Sequence, residues 1–260
     1  MKKTIVVKIG GATLGSHDTA LEDIVELQKQ GKSVVVVHGG GKLITEWLDK
    51  QKVPTNFLRG ERVTDKPTLE VATAVLAGLV NKDITASINI LGGKAAGISG
   101  VDGSVIEGEI KEKEKGFVGV VTKVNTTLLD SLLGSGFIPV ISPIGMNSKK
   151  QSDEPTTLNY NADVIAGEIA AALDAERLIF LTDVDGISDE EGRVLPKLTN
   201  KEAKALIESG IASGGMIPKI NACLKALTVK ASARIIDGRQ SHALLNELNG
   251  SGGGTKIGEE

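Results

Sequence analysis

Two apolar runs that end in glycines constrain the fold of this chain more than any other feature. The first covers residues 5–11 (IVVKIGG) and the second covers residues 34–41 (VVVVHGGG). Because β-branched residues follow one another without polar alternation, each run predicts a strand buried on both faces, as in a parallel sheet covered by helices. Glycines at the end of such a strand leave backbone N–H groups accessible to a bulky anion, since no Cβ blocks the approach. The two runs therefore predict a phosphate site at the edge of a parallel sheet, although tight turn packing is the simpler explanation for either one alone.

Two lysines occupy positions that a lysine seldom takes. Lys8 lies inside the first apolar run, where a charge requires an ion-pair partner or a functional role, because an unpaired charge is costly to bury. Lys219 follows Pro218 at the predicted start of a helix, where the helix dipole disfavours a cation. A bound phosphate would explain the position of Lys219, and a solvent-exposed side chain is the simpler alternative.

The remainder of the chain alternates between helix and strand patterns. Apolar spacing predicts helices around residues 21–27, 43–48, 65–89, 162–173, 199–210, 217–229 and 241–248, and strands at residues 137–144, 178–181 and 233–236. Strands separated by helices are typical of parallel βαβ units, whose ligands bind at the carboxyl ends of the strands. Residues 94–124 alternate between apolar residues and glycines, which predicts hairpins in a flap or insert on that sheet. The glycines at 252–254 predict a turn or a frayed tail.

The length of 260 residues fits one large α/β domain or two small lobes that share a sheet. The polar segment at residues 149–155 (KKQSDEP) is the best candidate for a crossover between two lobes. We therefore expect an N-terminal lobe over residues 1–150 and a C-terminal lobe over residues 151–260.

Composition excludes several classes of protein. Aromatic residues make up only 2% of the chain, so the core must be aliphatic. The net charge of −3 gives no reason to expect a nucleic acid or an anionic membrane surface as partner. The single cysteine, Cys223, excludes an internal disulfide and a cysteine metal cage. We find neither a signal peptide nor an uninterrupted apolar run of membrane-spanning length, so we expect a cytoplasmic protein.

Common nucleotide, metal and nucleophile motifs are missing. Gly41-Lys42 is followed by Leu43 rather than Ser or Thr, and Ile44 stands where the third Rossmann glycine would be. Counting from Asp183, the twelfth position of a calcium loop is Val194 rather than Glu. The histidines (His17, His38 and His242) are scattered, and no serine or cysteine has the context of an activated nucleophile. We therefore expect no protein metal site and no covalent catalysis.

Polar residues next to two predicted elements admit a structural and a functional explanation. Asn161 is a good helix N-cap, and Asp163 in the first turn suits the helix dipole, but Asn159 has no such explanation. Thr182 and Asp183 follow a predicted strand, either as a polar turn or as nucleotide contacts at its carboxyl end.

Taken together, these motifs resemble those of the amino acid kinase family over nearly the whole chain. The matching segments are residues 8–11 (KIGG), 37–41 (VHGGG), 60–65 (GERVTD), 81–82 (NK), 100–103 (GVDG), 159–163 (NYNAD), 181–186 (LTDVDG) and 214–219 (GGMIPK). The arginine segment and the Asn-x-Asn-Ala-Asp order are similar to the branch of the family that phosphorylates N-acetyl-L-glutamate. The resemblance implies ATP with Mg²⁺ held mainly by its phosphates. It also implies a three-layer αβα sandwich with a mainly parallel sheet, an amino-acid site and dimer contacts in the N-terminal lobe, and ATP in the C-terminal lobe.

The resemblance also implies roles for individual residues. Lys8 and Lys219 would stabilise the transition state, and Asp163 would orient them. Gly11, Gly40 and Gly41 would donate backbone N–H groups to phosphoryl and substrate oxygens. The substrate would be bound by Arg62 at its α-carboxylate and by Asn159. The nucleotide would contact Lys8, Gly10, Gly11, Thr182, Asp183, Ile211, Ala212, Ser213 and Lys219.

Two departures from the family pattern bear on regulation. Arginine-inhibited members carry an extra N-terminal helix, whereas this sequence starts directly at the first strand, and the loop at residues 248–256 is short. We therefore predict a homodimer that arginine does not inhibit. The alternatives are a sibling kinase acting on carbamate, glutamate or a carrier-linked aminoadipate, and a non-catalytic nucleotide-binding regulator; Arg62 argues against the siblings, and the intact set of Lys8, Asp163 and Lys219 argues against the regulator.

Overall fold

A computed structural model describes residues 3–10, 19–58, 61–110, 112–229 and 231–258. The strands in chain order are β1 Thr4–Ile9, β2 Ser33–His38, β3 Phe57–Leu58, β4 Glu61–Arg62, β5 Ala95–Ser99, β6 Ile106–Ile110, β7 Gly119–Val124, β8 Ile138–Ser142, β9 Ile144–Asn147, β10 Thr157–Asn159, β11 Arg177–Thr182, β12 Lys197–Leu198, β13 Ser232–Asp237 and β14 Thr255–Ile257. The α-helices are α1 Ala20–Lys29, α2 Gly41–Lys50, α3 Lys66–Thr73, α4 Asn81–Ile90, α5 Thr127–Gly134, α6 Ala162–Ala172, α7 Asn200–Glu208, α8 Met216–Ala226 and α9 Ala243–Leu248. A π-helical segment, Ala74–Val80, joins α3 to α4.

The main sheet has eight strands in the order β12-β14-β13-β11-β1-β2-β8-β5. Every neighbouring pair is parallel except β13 and β14. Helices cover both faces, which confirms the predicted αβα sandwich. Because β1 and β2 are adjacent at the centre, the two glycine-rich segments that follow them start at the same edge of the sheet.

Side chains of the central strands alternate between two hydrophobic clusters. Val6 packs with residues of α6 and α8, whereas Ile5 and Val7 pack with residues of α1, α2, α4 and α9. Since side chains two residues apart share a face of a strand, Lys8 lies on the same face as Val6. The sheet thus directs Lys8 toward the helices α6 and α8.

A second sheet, in the order β10-β9-β6-β7, and a β3–β4 hairpin lie beside the main sheet. The prediction of an insert over residues 94–124 is correct for β6 and β7 and wrong for β5, which is an edge strand of the main sheet. The predicted strand at residues 137–144 divides at Pro143 into β8 and β9, which belong to different sheets. Residues 149–155 connect β9 to β10, an antiparallel pair, rather than crossing between lobes. The glycines at 252–254 lead into β14 and are not a frayed tail.

The segment Lys66–Ile90 is the one described helix that is long and apolar enough to cross a membrane by length and composition. The sequence expectation of no segment of that length overlooked it because Lys82 and Asp83 interrupt its apolar run. Its residues Val75 and Ile88 are fully buried in the cluster that covers one face of the main sheet. We interpret it as a core helix, and the cytoplasmic location stays a prediction.

Close packing of α6 on α8 gives a first testable prediction, because it sets the distance between the residues at the starts of the two helices. A Cβ atom added at Gly167 would lie 2.7 Å from the backbone oxygen of Ala222. We expect Gly167→Val to lower the free energy of unfolding by about 1–3 kcal/mol, since overpacking forces backbone shifts. Denaturant unfolding measures this, with Gly134→Ala as control because nothing lies within 4 Å of a Cβ there. Equal stabilities of the two variants would contradict the prediction.

Candidate active site

Two lysines from opposite ends of the chain contact one carboxylate. Lys8 Nζ lies 2.7 Å from Asp163 Oδ1, and Lys219 Nζ lies 3.0 Å from Asp163 Oδ2. All three side chains are at least 85% buried. Lys8 is on the face of β1 that meets α6, Asp163 is in the first turn of α6, and Lys219 is in the first turn of α8. The fold therefore brings together the three residues that the sequence singled out.

Local capping fixes the carboxylate of this ion-pair cluster. The Asn161 side chain accepts hydrogen bonds from the backbone N–H groups of Asp163 (2.8 Å) and Val164 (3.3 Å), which confirms Asn161 as the N-cap of α6. Burial alone would raise the pKa of Asp163, but Lys8 and Lys219 outweigh it and hold that pKa below its usual range. Asp163 is thus ionised at neutral pH.

The second glycine-rich segment forms the start of α2. Gly40 is its N-cap residue and Gly41 its first helical residue, and no side chain of the described ranges caps this end. A Cβ atom at Gly40 would lie 2.7 Å from Leu76 Cδ2, so a glycine is needed for packing there. At Gly41 no described residue lies within 4 Å of an added Cβ, so packing does not require a glycine there. Uncapped N–H groups at a helix N-terminus favour an anion.

Arg62 approaches the same helix start from β4. Its Nη2 donates to Gly41 O (3.0 Å) and to Thr45 Oγ1 (2.8 Å), and its guanidinium lies 4.9 Å from the centre of the Phe57 ring. Its Nη1 is buried and has no hydrogen-bond partner among the described residues. A buried guanidinium nitrogen without a partner is suited to bind a carboxylate.

Hydrogen bonds connect Asn159 to the segment that follows Arg62. Asn159 Nδ2 donates to Thr64 Oγ1 (3.2 Å), and the backbone N–H of Asn159 donates to Phe117 O (3.0 Å). Thr64 in turn exchanges backbone hydrogen bonds with residues 115 and 117. The β10 strand, the segment after β4 and the segment before β7 are thus connected around Asn159.

An ion-pair cluster that sequence reasoning missed holds the β3–β4 hairpin. The buried Lys115 Nζ bonds to Glu61 and lies 3.0 Å from Glu112 Oε1. The hydrogen bond with Glu61 raises the pKa of Lys115, so the lysine stays charged. No sequence signal pairs residues 54 positions apart, whereas the fold brings Lys115 to Glu61, the residue that precedes Arg62 in β4.

These residues enclose a cavity of about 240 Å³. Its lining comprises Lys8, Gly39, Gly40, Gly41, Ile44, Phe57, Glu61, Arg62, Leu76, Val118, Pro143, Asn159, Tyr160, Asn161, Ala162 and Asp163. Its lining combines the cationic side chains of Lys8 and Arg62 and the glycines 39–41 with apolar side chains such as Ile44 and Leu76. The cavity therefore suits a small anionic molecule with an apolar part.

Tyr160 is a further residue that sequence reasoning missed. Its hydroxyl donates to Met146 O (2.7 Å), and its ring occupies space left by two glycines. A Cβ atom at Gly119 would lie 2.4 Å from the ring and one at Gly145 would lie 2.8 Å from it. The glycines of β7 and β9 therefore make room for the Tyr160 ring, which lines the cavity. The only sequence signal for this residue was that it is the single tyrosine of the chain.

A second cavity of about 490 Å³ lies at the carboxyl end of β11. Of the residues predicted to contact nucleotide, Asp183, Ile211, Ala212 and Ser213 line it. Thr182 does not line this cavity. It is buried, and its hydroxyl donates to Asp183 Oδ1 (3.2 Å). The backbone N–H of Gly10 donates to Leu181 O (3.0 Å), so it links the carboxyl ends of β1 and β11. Gly11, Gly60 and His17 lie outside the described residues.

Within the described ranges, no three His, Cys, Asp or Glu side chains converge to hold a metal ion. The carboxylates of Asp183 and Asp185 line the second cavity and supply oxygen ligands of the kind that Mg²⁺ takes. These residues fit a Mg²⁺ ion that is bound chiefly by the phosphates of a nucleotide. Cys223 is buried, which raises the pKa of its thiol, so it offers no reactive thiolate.

Comparisons with known proteins agree with this architecture. The amino acid kinase family matches residues 3–237. The chain is 48% identical over 254 residues to the acetylglutamate kinase of Dehalococcoides mccartyi strain 195, covering 97% of this chain and 93% of the relative. It is 47% identical to the acetylglutamate kinase of Nostoc sp. strain PCC 7120, covering 95% and 84%. A solved protein of Streptococcus mutans UA159 superposes with a TM-score of 0.84 at 29% identity and full coverage of both chains. The chain belongs to the amino acid kinase family.

Proposed function

We propose that this chain transfers the γ-phosphoryl group of ATP to the γ-carboxylate of N-acetyl-L-glutamate, the second step of arginine biosynthesis. A carboxylate oxygen attacks the γ-phosphorus, the bond from that phosphorus to the β,γ-bridging oxygen breaks, and the products are N-acetyl-L-glutamyl 5-phosphate and ADP. The identity of 47–48% to acetylglutamate kinases over most of the chain supports this acceptor. The observation that carries the chemistry is the contact of Lys8 and Lys219 with one buried carboxylate.

The proposed reaction needs charge neutralisation rather than a base. A carboxylate nucleophile is already ionised at neutral pH, so the difficulty is to bring it against an anionic phosphoryl group. One ammonium group about 4 Å from a phosphoryl oxygen contributes roughly 4 kcal/mol of Coulomb energy at an effective dielectric constant of about 20. Lys8 and Lys219 would supply two such charges, and Asp163 would hold both in place before the phosphates bind.

Substrate would occupy the 240 Å³ cavity. Arg62 Nη1, which has no hydrogen-bond partner among the described residues, supports binding of the α-carboxylate, and Asn159 would donate a hydrogen bond to the acetylglutamate. The amides of Gly40 and Gly41 would face the transferring phosphoryl group, together with Gly11. ATP would occupy the cavity lined by Asp183, Ile211 and Ser213, with Thr182 supporting Asp183 and Gly10 at the end of β1. This assignment places most of the acetylglutamate contacts in residues 1–150 and the ATP contacts in residues 151–260, but Asn159 and Asp163 of the second range also line the substrate cavity.

A panel of acceptors tests the proposed function. ATP consumption is measured with N-acetyl-L-glutamate, L-glutamate, carbamate and a carrier-linked aminoadipate, and acyl phosphate is trapped with hydroxylamine. We expect turnover with N-acetyl-L-glutamate to exceed that with the others. Preferential turnover of a sibling acceptor would overturn the proposed substrate, and ATP binding without turnover of any acceptor would identify a regulator.

Replacing Arg62 by Lys tests the substrate assignment. A lysine keeps the charge but loses the planar fork that holds a carboxylate through two N–H groups. We expect the KM for N-acetyl-L-glutamate to rise about 10- to 100-fold, while the KM for ATP changes by less than about threefold. The control Arg177→Lys changes an arginine that lies 3.9 Å from Glu247 and lines neither cavity. A rise of the ATP KM alone would contradict the assignment of Arg62.

We also propose that the chain forms a homodimer through α2 and the π-helical segment. A groove of about 1040 Å³ lies there, lined by Leu43, Trp47, Gly78 and Leu79 among others, and Leu79 is 45% exposed. An exposed apolar groove of this size favours a partner surface. Light scattering after size-exclusion chromatography tests this: Leu79→Asp should give a monomer if the groove is the interface, and an unchanged dimer would place the interface elsewhere.

A further inference from the structure

Two buried polar side chains behind the glycine-rich turn have no role in the reaction described above. His38, the last residue of β2, is fully buried, and so is Asn81, the first residue of α4. His38 shares a face of β2 with Val34 and Val36, and Asn81 follows Val80, all three of which belong to the hydrophobic cluster on that side of the main sheet. Buried polar groups are costly unless each is satisfied, so a pair of them in such a core requires an explanation.

The hydrogen bonds of His38 identify which ring nitrogen carries the proton. His38 Nδ1 lies 2.9 Å from Gly39 O, and a carbonyl oxygen only accepts, so Nδ1 must donate. His38 Nε2 then accepts from Asn81 Nδ2 at 3.2 Å. Burial is the main cause that lowers the pKa of His38 to about 4, with Lys8 and Lys82 acting in the same direction and the Gly39 bond opposing them. The imidazole is therefore neutral at neutral pH.

The side-chain amide of Asn81 cannot flip, because its contacts determine which atom is the nitrogen and which is the oxygen. Its Nδ2 also lies 2.9 Å from Val140 O and 3.1 Å from Ile98 O, which are backbone acceptors on β8 and β5, so its two N–H groups are shared among these oxygens and His38 Nε2. Its Oδ1 accepts from Lys82 Nζ (3.0 Å). A flipped amide would place its oxygen against two carbonyl oxygens. The main sheet thereby fixes Asn81, and Asn81 fixes the tautomer of His38.

The fixed imidazole determines the orientation of one peptide plane in the turn. In a trans peptide the C=O of Gly39 and the N–H of Gly40 point in opposite directions, so holding Gly39 O against His38 directs the Gly40 N–H away from the ring. Gly40 is buried and lines the 240 Å³ cavity, and its N–H donates to no acceptor within the described part of the chain. The reversed plane would instead present a carbonyl oxygen to an anion and would leave two donors facing each other at His38.

We propose that His38 and Asn81 are positioning residues, which lock the Gly39–Gly40 peptide so that the Gly40 N–H remains available to the transferring phosphoryl group. This inference rests on the proposed phosphoryl transfer and does not depend on which acceptor is phosphorylated. The role differs from that of Lys8 and Lys219, because neither His38 nor Asn81 touches the reactants. Removal of one preorganised N–H donor typically costs about 10²- to 10³-fold in kcat, so partial loss of its orientation should be readily measured.

Two substitutions of His38 separate the role of each ring nitrogen. In His38→Asn the amide nitrogen can replace Nδ1 as donor to Gly39 O, whereas in His38→Gln the side chain reaches only the Nε2 position and leaves Gly39 O free. We expect His38→Asn to keep kcat within about threefold and His38→Gln to lower kcat about 10- to 100-fold, with the KM of each substrate nearly unchanged. The control His242→Gln removes an Nδ1 bond to Asp23 (2.7 Å) on α1 and should lower the Tm without lowering kcat. Equal kcat for the two His38 variants, or a kcat that follows the Tm across all three, would overturn the proposal.

An activity-independent measurement keeps this test distinct from that of the proposed function. In protein labelled with ¹⁵N-glycine, the Gly40 amide signal is followed while Mg²⁺, ADP and aluminium fluoride are added. We expect the signal to move in the wild type and in His38→Asn, and to move much less in His38→Gln. That pattern together with an inactive acceptor panel would refute the acceptor and retain the positioning role, whereas active enzyme with identical Gly40 shifts in all three proteins would refute the positioning role alone.

Discussion

We expect Lys8→Arg to lower kcat about 10²- to 10³-fold and to leave nucleotide affinity within about threefold of the wild type. The positive charge is kept, so the general attraction for phosphates persists. The guanidinium is wider and planar, however, and the Lys8 ammonium lies in a 91% buried position 2.7 Å from Asp163 Oδ1. The larger group cannot place its charge at the same point, and transition-state stabilisation depends on that point.

Steady-state kinetics and nucleotide titration by calorimetry measure the two quantities separately. The matched control is Lys3→Arg, immediately before the same strand, where the lysine side chain is 77% exposed and lies 3.7 Å from Glu176. That variant should resemble the wild type in both measurements. Turnover of Lys8→Arg at the wild-type rate would remove Lys8 from the proposed machinery.

The parts of the fold that were predictable from the sequence are those with local signals. Uninterrupted β-branched runs predicted the buried strands β1 and β2, and Asn161 was predicted as the N-cap that begins α6. Lys8 was conspicuous because its strand is otherwise apolar, and Lys219 because it opposes a helix dipole. Each of these features is encoded within a few residues.

Features that depend on distant partners could not be predicted from the sequence. The pattern of β5 is the same whether it pairs with β8 or forms a hairpin, and only packing decides between them. The contact between Glu61 and Lys115 and the glycines that accommodate Tyr160 are likewise products of tertiary structure. The hydrogen bond of His38 to Asn81, 43 positions away, likewise joins residues that no local pattern connects.

Replacing Asp163 by Asn tests the carboxylate that Lys8 and Lys219 both contact. We expect its largest effect on stability before nucleotide binds. The substitution leaves the ammonium groups of Lys8 and Lys219 buried without the carboxylate that both contact. Removing one partner of a buried ion pair costs about 3–5 kcal/mol, so we expect a lower Tm together with a kcat reduced about 10²-fold or more. Because the phosphates of ATP would take the place of the lost carboxylate, addition of Mg²⁺ and ATP should raise the Tm of Asp163→Asn more than that of the wild type.

The pH dependence of the Tm difference between wild type and Asp163→Asn gives an independent check that the ionised carboxylate stabilises the fold. The folded-state pKa of Asp163 is lowered, so its stabilising contribution is fully present above the ordinary pKa of about 3.9 and is lost as the pH falls from there through the folded-state value. The difference in Tm between wild type and Asp163→Asn should therefore be constant from pH 7 to pH 5 and should shrink below about pH 4.

The control Asp23→Asn removes a fully buried carboxylate that accepts from Leu245 and lines neither cavity, so it should lower the Tm equally with and without ATP. If ATP raises the Tm of Asp163→Asn no more than that of Asp23→Asn, the two lysines do not bind its phosphates, and the proposed site of phosphoryl transfer is wrong.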